Sequence, residues 1–132
     1  MEKIKKDNSK DYLSILMHRG EKAEALKLVL DLSNDVGGGW LGLNADFTDE
    51  FASKLRTEYP NEIAGYYLKR ARKYILFGQR RNYRVARRYL EKVKDTYLEE
   101  LDDDGTWKLI IAGIRDEFQK SKALLEEIEG LT

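Results

Sequence analysis

Apolar side chains recur every three or four residues along most of the chain, which is the period of a helix buried along one face. The clearest runs lie on either side of Gly78, over about 60–77 and 83–97, and the spacing continues over 107–128. We therefore predict an all-α fold of about seven helices in antiparallel hairpins, a tetratricopeptide-like bundle or short solenoid. A strict 34-residue repeat is absent.

The N-terminal part of the chain has the pattern of a helical hairpin. A first helix is expected over about 9–19 and a second over about 21–33, joined at Gly20, which suits a left-handed cap. The stretch 26–32 also fits a strand, although no partner strand is evident in the sequence. Residues 9–33 are therefore interpreted as two antiparallel helices with a minimal turn.

A glycine-rich segment follows this hairpin. Residues 34–47 hold four glycines and no helical period, which predicts a linker between an N-terminal hairpin and the main helical region of a single domain, 1–132. Thr48 is the expected N-cap of a third helix. Pro60 ends that helix and opens the fourth.

The remaining helix ends follow from polar residues and glycines. Asn82 is the expected N-cap of a fifth helix, which we extend to about Tyr97. An acidic turn at 102–105 then precedes a sixth helix over about 107–118 and a short seventh over about 121–128.

Small residues in the two central helices suggest close packing. Ala64 and Gly65 placed opposite Tyr83 and Ala86 would let the helices approach while neighbouring rings fill the groove. We expect the tyrosines of this region to be core residues because they share the apolar spacing.

The sequence at 61–130 includes the runs NEIAGYYLKRARKYILFGQRRNYRVARRYLEKVKDTYLEEL and WKLIIAGIRDEFQKSKALLEEIEG. In helical pattern and aromatic placement it resembles the helical region C-terminal to the SWIM-type zinc finger of bacterial and archaeal proteins. The segment DYLSILMHRGEKAEALKLVL at 11–30 resembles the looser helices upstream. The resemblance implies either a C-terminal piece of a longer SWIM-finger protein or a free-standing relative of its helical region.

The zinc site of that family has no counterpart here. SWIM fingers use Cys-x-Cys and Cys-x-His, whereas this chain has no cysteine and a single histidine, His18. Without cysteine the chain forms no disulfide, thiolate metal site or cysteine nucleophile, which suits a reducing compartment. The N-terminus is polar, and no apolar run approaches the roughly 18 residues of a membrane span. We expect a cytoplasmic protein without an export signal or membrane contact.

Three motifs resemble functional sites, but a purely structural role explains each of them better. GGGWLG at 37–42 satisfies G-x-G-x-x-G, but a helix is expected before it and irregular chain after it, whereas a dinucleotide site needs a strand and then a helix. The acidic residues at 100–104 imitate a calcium loop whose twelfth position is Ile111 instead of glutamate. His18 near a helix end has no residues with which to form a triad or metal site.

Charge is unevenly distributed although the chain holds 24 residues of each sign. Residues 69–94 contain 11 basic side chains and one acidic one, Glu91, so they carry +10 and the remainder carries −10. Internal pairing with acidic helices, contact with nucleic acid or another polyanion, and contact with an acidic protein all fit this band. The candidate polyanion-binding residues are Lys69, Arg72, Lys73, Arg80, Arg81, Arg84, Arg87 and Arg88.

These observations favour a non-catalytic interaction or scaffold module in which a groove between helical hairpins receives a protein partner. The alternative is an accessory nucleic-acid-binding domain that uses the basic band at 69–94. We expect no cofactor, and the sequence offers no catalytic constellation that would indicate an enzyme.

Overall fold

The computed structural model describes residues 13–34 and 40–131, with side chains described outside 31–34 and 40–47. All regular structure in these residues is helical and none is strand, which confirms the all-α prediction and makes 26–32 part of a helix. The chain divides into two compact units, Met1–Leu55 and Arg56–Thr132. The division follows Leu55, whereas the sequence suggested a single domain with its break at 34–47.

The first unit contains α1 (residues 13–18), α2 (Lys22–Asn34) and α3 (Trp40–Leu55), with α2 packed against α3. Gly20 ends α1 at a φ of 79°, a value that favours glycine. The N–H of Glu21 donates to the Leu16 carbonyl at 2.9 Å, and the Gly20 N–H donates to that of Met17 at 3.1 Å. This bonding pattern confirms the predicted left-handed cap.

The start of α3 differs from the sequence prediction. Residues 40–47, expected to belong to a linker, are helical, while 35–39 lie outside the described residues. Thr48 is therefore in the helix interior, where it is buried, and its assignment as an N-cap was wrong. Three of the four linker glycines precede Trp40, and apolar residues recur at 40, 43, 47 and 51, which is a helical period.

The second unit contains α4 (Pro60–Phe77), α5 (Arg80–Asp95), a π-helical turn (Thr96–Glu100), α6 (Asp104–Glu117) and α7 (Lys122–Glu127). Within it α4 packs extensively along α5, and α5 also contacts α6, α7 and the π-helical turn. α5 is therefore the central helix of this unit.

The hairpin of α4 and α5 is filled by tyrosine rings, as the sequence predicted. Tyr66, Tyr67 and Tyr89 are all buried. The Tyr89 ring lies 6.3 Å from that of Tyr67 and stacks on Tyr74 at 5.9 Å between centroids, distances at which aromatic pairs attract. Pro60 stands in the first turn of α4 as expected.

Only some of the small residues that were expected to pack between α4 and α5 are buried. Ala64 and Ala86 are buried. Gly65 is exposed with no neighbouring atom within 4 Å of where its Cβ would lie, so the prediction that it permits close approach was wrong. Gly65 lies on the side of α4 opposite its buried residues, because successive residues advance by about 100°.

Two predicted boundaries of α5 need correction. The helix begins at Arg80 instead of Asn82. The Asn82 side-chain amide donates to the Gly78 carbonyl at 2.7 Å, so it bonds to the end of α4 instead of capping α5. α5 ends at Asp95 instead of about Tyr97. The Thr96 hydroxyl donates to the Lys92 carbonyl at 2.7 Å, a local bond that competes with regular α-helix where the π-helical turn starts.

Candidate functional site

The basic band lies mainly on α5, whose two faces have opposite character. The buried face carries Ala86, Tyr89, Leu90 and Val93, at the 3/4 spacing of an amphipathic helix. Since successive residues advance by about 100°, positions 81, 84 and 88 fall on the opposite side. The outward face of α5 is therefore basic.

Arg81, Arg84 and Arg88 form a line on this outward face, which we name the α5 basic stripe. All three are exposed, and none has a hydrogen-bond or ion-pair partner within the described residues. Lys92 continues the line and is also exposed, but its ammonium group lies 5.6 Å from the centroid of the Tyr67 ring. The three arginines thus remain available to an external anion.

Two other candidate arginines are neutralised by acidic residues of the same unit. The Arg72 guanidinium donates to the Glu117 carboxylate at 2.7 Å, and that of Arg80 donates to Glu126 at 3.3 Å. Both pairs join residues that are far apart in sequence and partly exposed. They bear out the interpretation that part of the band pairs internally.

Arg87 has a structural role that the sequence did not predict. Its Nε donates to Glu91 at 3.0 Å, and its Nη1 donates to the backbone carbonyls of Glu127 and Glu129. A guanidinium beside carbonyl groups at the end of α7 stabilises the negative end of that helix. Arg87 therefore links α5 to α7, and its charge is already engaged.

The candidates on α4 also differ in exposure. Lys69 is exposed, whereas Lys73 is half-buried and interacts within the chain. Arg70, which contributes to the sequence charge of +10, is only 3% exposed. Its Nε donates to the Tyr66 hydroxyl at 2.9 Å, with the guanidinium 5.1 Å from the ring centroid. Its charge does not belong to the outer surface.

An exposed apolar pair at the end of α4 was missed by the sequence analysis. Leu76 is 72% exposed and Phe77 is 56% exposed, directly before Gly78 and the start of α5. A signal was present, because Ile75, Leu76 and Phe77 are consecutive and successive helix positions cannot all face one core. Ile75 is the member that is buried.

An open depression lies where α6 turns into α7. It has a volume of about 520 Å³ and is lined by residues 117–121, among them Phe118 and Ser121. The Arg72 guanidinium lies 5.8 Å from the centroid of the Phe118 ring. Because one continuous segment lines it, this depression is not the groove between hairpins that the sequence analysis envisaged.

Within the described residues, neither the glycine motif at 37–42 nor His18 has the surroundings that a nucleotide site or a metal site requires. Residues 37–39 lie outside the described residues, and Trp40 opens α3, so the chain after the glycines is helical instead of irregular. The preceding element is α2, not the strand that a dinucleotide site requires. His18 is exposed, and no group of three His, Cys, Asp or Glu residues within the described ranges could hold a metal ion.

The acidic turn is organised as a helix cap. Asp103 accepts hydrogen bonds from the Thr106 hydroxyl at 2.6 Å and from the Thr106 backbone N–H at 3.1 Å. These bonds lower the pKa of Asp103 below its ordinary value, because they favour the charged carboxylate. Ile111, at the position where a calcium loop needs glutamate, is buried.

A second electrostatic contact holds the π-helical turn. The Arg56 guanidinium donates to Glu99 at 2.8 Å and to Glu100 at 3.1 Å. Burial opposes the charge on Arg56, but the hydrogen bonds to the two carboxylates outweigh it and raise the pKa of Arg56. These charges are mutually satisfied and belong to the structure of the unit.

No protein-family model matches the chain, and the comparisons with curated proteins and with solved structures also give no match. Within the part of the chain that the structure describes, no helix has both the length and the apolar character needed to cross a membrane.

Proposed function

We propose that this chain is a non-catalytic helical interaction module that binds a protein partner. The observation that carries the proposal is the exposed pair Leu76 and Phe77, which ends α4 next to the basic start of α5. Exposed aromatic and aliphatic side chains beside charged groups are typical of partner-binding surfaces. Arg81, four residues after Phe77 in the sequence, adds a positive charge that has no partner among the described residues.

The apolar pair and the neighbouring arginine indicate which kind of partner fits this surface. An amphipathic helix with apolar anchors and acidic flanks would cover the two side chains and meet Arg81 with opposite charge. Fully burying a Leu or Phe contributes about 1.5–3 kcal/mol each relative to full exposure, and both are more than half exposed here. Their burial would supply about 2–4 kcal/mol in total.

The resemblance to the SWIM-associated helical region supports one source for such a partner. In that case the acidic amphipathic segment belongs to the zinc-finger part of the same protein, and the chain is an accessory region of it. The cysteine-free sequence supports placing this module in the cytoplasm.

The experiment places a photo-crosslinking amino acid at position 76 and, as a control, at position 109. Leu109 is also highly exposed, but it lies on α6 and not on α4 or α5. We expect a specific adduct from position 76 only. A peptide from the adduct should bind the purified chain at least tenfold more weakly after Leu76→Ser/Phe77→Ser, as a loss of about 1.4 kcal/mol requires.

The control substitution Leu109→Ser should leave the affinity for that peptide unchanged. Equal adducts from positions 76 and 109, or unchanged binding by the double variant, would refute the proposed surface. The alternative function, nucleic-acid binding, depends on the α5 basic stripe, which shares only Arg81 with this surface.

A further inference from the structure

The α5 basic stripe is electrostatically unfavourable in the isolated chain. Arg81 and Arg84 are three residues apart, and Arg84 and Arg88 are four apart, spacings at which like charges on a helix repel. The first turn of α5 contains no acidic residue, so Arg81 also lies near the positive end of the helix dipole. An external polyanion would relieve both effects.

Other arginines of α5 are paired with carboxylates, so the arginines without a partner are confined to one side of the helix. Arg80 and Arg87 flank the stripe on the same helix, and both find carboxylates within hydrogen-bond distance. Arg81 and Arg88, one residue further along in each case, have no such partner within the described residues. The unit thus neutralises one side of α5 and leaves the adjacent side positive.

The length of the stripe matches the spacing of phosphates. Seven residues separate Arg81 from Arg88, which corresponds to about 10 Å along a helix that rises about 1.5 Å per residue. One strand of duplex DNA carries one phosphate for about every 3.4 Å of axis, so the stripe spans about three phosphates. Three exposed arginines on the outward face of α5 can therefore follow one strand.

The aromatic residues favour a duplex over a single strand. Single strands are held largely by bases stacked on exposed rings. Tyr89 is buried in the hairpin and Tyr83 is half-buried, so Phe77 is the one exposed aromatic ring among the described residues of this unit. A single ring offers no surface on which successive bases can stack. Contact through phosphates alone carries no sequence information.

We infer that the α5 basic stripe binds the phosphate backbone of double-stranded nucleic acid without sequence preference. This goes beyond the proposed protein-binding function, with which it shares Arg81, whereas Arg84 and Arg88 belong to the stripe alone. Each guanidinium would meet a phosphate with charge-assisted hydrogen bonds, which suit its planar array of donors.

The test measures fluorescence anisotropy of a labelled mixed-sequence 20-base-pair DNA duplex with the full chain at 50 and 200 mM salt. Three phosphate contacts predict a slope of about −2.7 in log affinity against log salt, which is about 40-fold weaker binding over this range. The variant Arg81→Gln/Arg84→Gln/Arg88→Gln should lose binding at 50 mM salt. Its far-UV circular dichroism should match that of the unmodified chain.

The matched control removes the same charge elsewhere in the unit, with Lys108→Gln/Lys120→Gln/Lys122→Gln. All three lysines are exposed, and they lie on or beside α6 and α7. We expect this control to keep its affinity and salt slope. Loss of binding in both variants to the same degree would show that net charge alone is responsible and would overturn the assignment.

Three further results would also overturn the inference. They are absence of duplex binding at 50 mM salt, tighter binding of a single strand than of the duplex, and equally tight binding of polyglutamate through the stripe. The last result would assign the stripe to an acidic protein. The variant Leu76→Ser/Phe77→Ser should bind the duplex normally, so failure of the protein-binding proposal leaves this test unaffected.

Discussion

Substitution of two consecutive arginines of α5, Arg87 and Arg88, should change the free energy of unfolding by very different amounts. Arg87 joins α5 to the end of α7, whereas Arg88 projects outward in the α5 basic stripe. We predict that Arg87→Gln destabilises the second unit and that Arg88→Gln does not. The two substitutions are matched in charge, side-chain size and helix propensity.

The magnitude follows from the bonds that each arginine makes. Hydrogen bonds to charged groups contribute about 1.5–3 kcal/mol, and an exposed ion pair of the kind that Arg87 makes with Glu91 adds about 0.3–0.5 kcal/mol. Because the Arg87 side chain is 32% exposed, water replaces part of this loss. We therefore expect Arg87→Gln to lower the free energy of unfolding by about 2 kcal/mol, compared with at most about 0.5 kcal/mol for Arg88→Gln.

The assay is urea unfolding of the full chain followed by far-UV circular dichroism. With a slope of about 2 kcal/mol per molar urea, the Arg87 variant should unfold at a midpoint about 1 M lower. Equal midpoints for Arg87→Gln and Arg88→Gln would refute the reasoning. They would mean that the bonds to the Glu127 and Glu129 carbonyls contribute no net stability.

Three other changes test the packing, cap and backbone assignments. Trp107 is buried and its Nε1 donates to the Leu131 carbonyl at 3.2 Å, so Trp107→Phe should cost about 2–3 kcal/mol in urea unfolding by leaving a buried acceptor unpaired. Asp103→Asn should lower Tm at pH 7. Because the folded-state pKa of Asp103 lies below the unfolded value of about 3.9, this difference should shrink as pH falls below about 4. Gly65→Ala should raise stability by about 0.5–1 kcal/mol, whereas Gly78→Ala should lower it by about 1–3 kcal/mol.

Each of these three predictions has a result that would contradict it. Gly65 lies in helix with open space around it, and Gly78 has a φ of 79°, so similar shifts in Tm for both alanine variants would contradict this distinction. A Tm difference for Asp103→Asn that persists at pH 2 would show that the lost carboxylate charge is not its cause. A Trp107→Phe variant as stable as the unmodified chain would mean that the Leu131 carbonyl finds another donor.

Much of the helix content was readable from the sequence because its signals are local. Apolar spacing identified α4 and α5, and Gly20 marked the left-handed end of α1. The same spacing correctly placed Tyr67 and Tyr89 in the core. These predictions held because a helix that buries one face must repeat its apolar residues with the helical period.

Boundaries failed where several local signals competed. Thr48 has the chemistry of an N-cap, but apolar residues on both sides of it belong to one helical period, and α3 runs through it. Asn82 also has capping chemistry, yet its amide reaches back to Gly78. Composition identifies residues that can cap a helix, whereas the surrounding backbone decides which carbonyl or N–H they meet.

The helical class, the periodic core and the excess of basic residues between 69 and 94 follow from the order of the residues alone. Which of those charges are available depends on how the helices pack, because the partner of Arg72 lies 45 residues away and the carbonyls that hold Arg87 lie 40 and 42 residues away. Periodicity places a side chain on a face of its own helix. The charge that it meets depends on which distant helix packs beside that face.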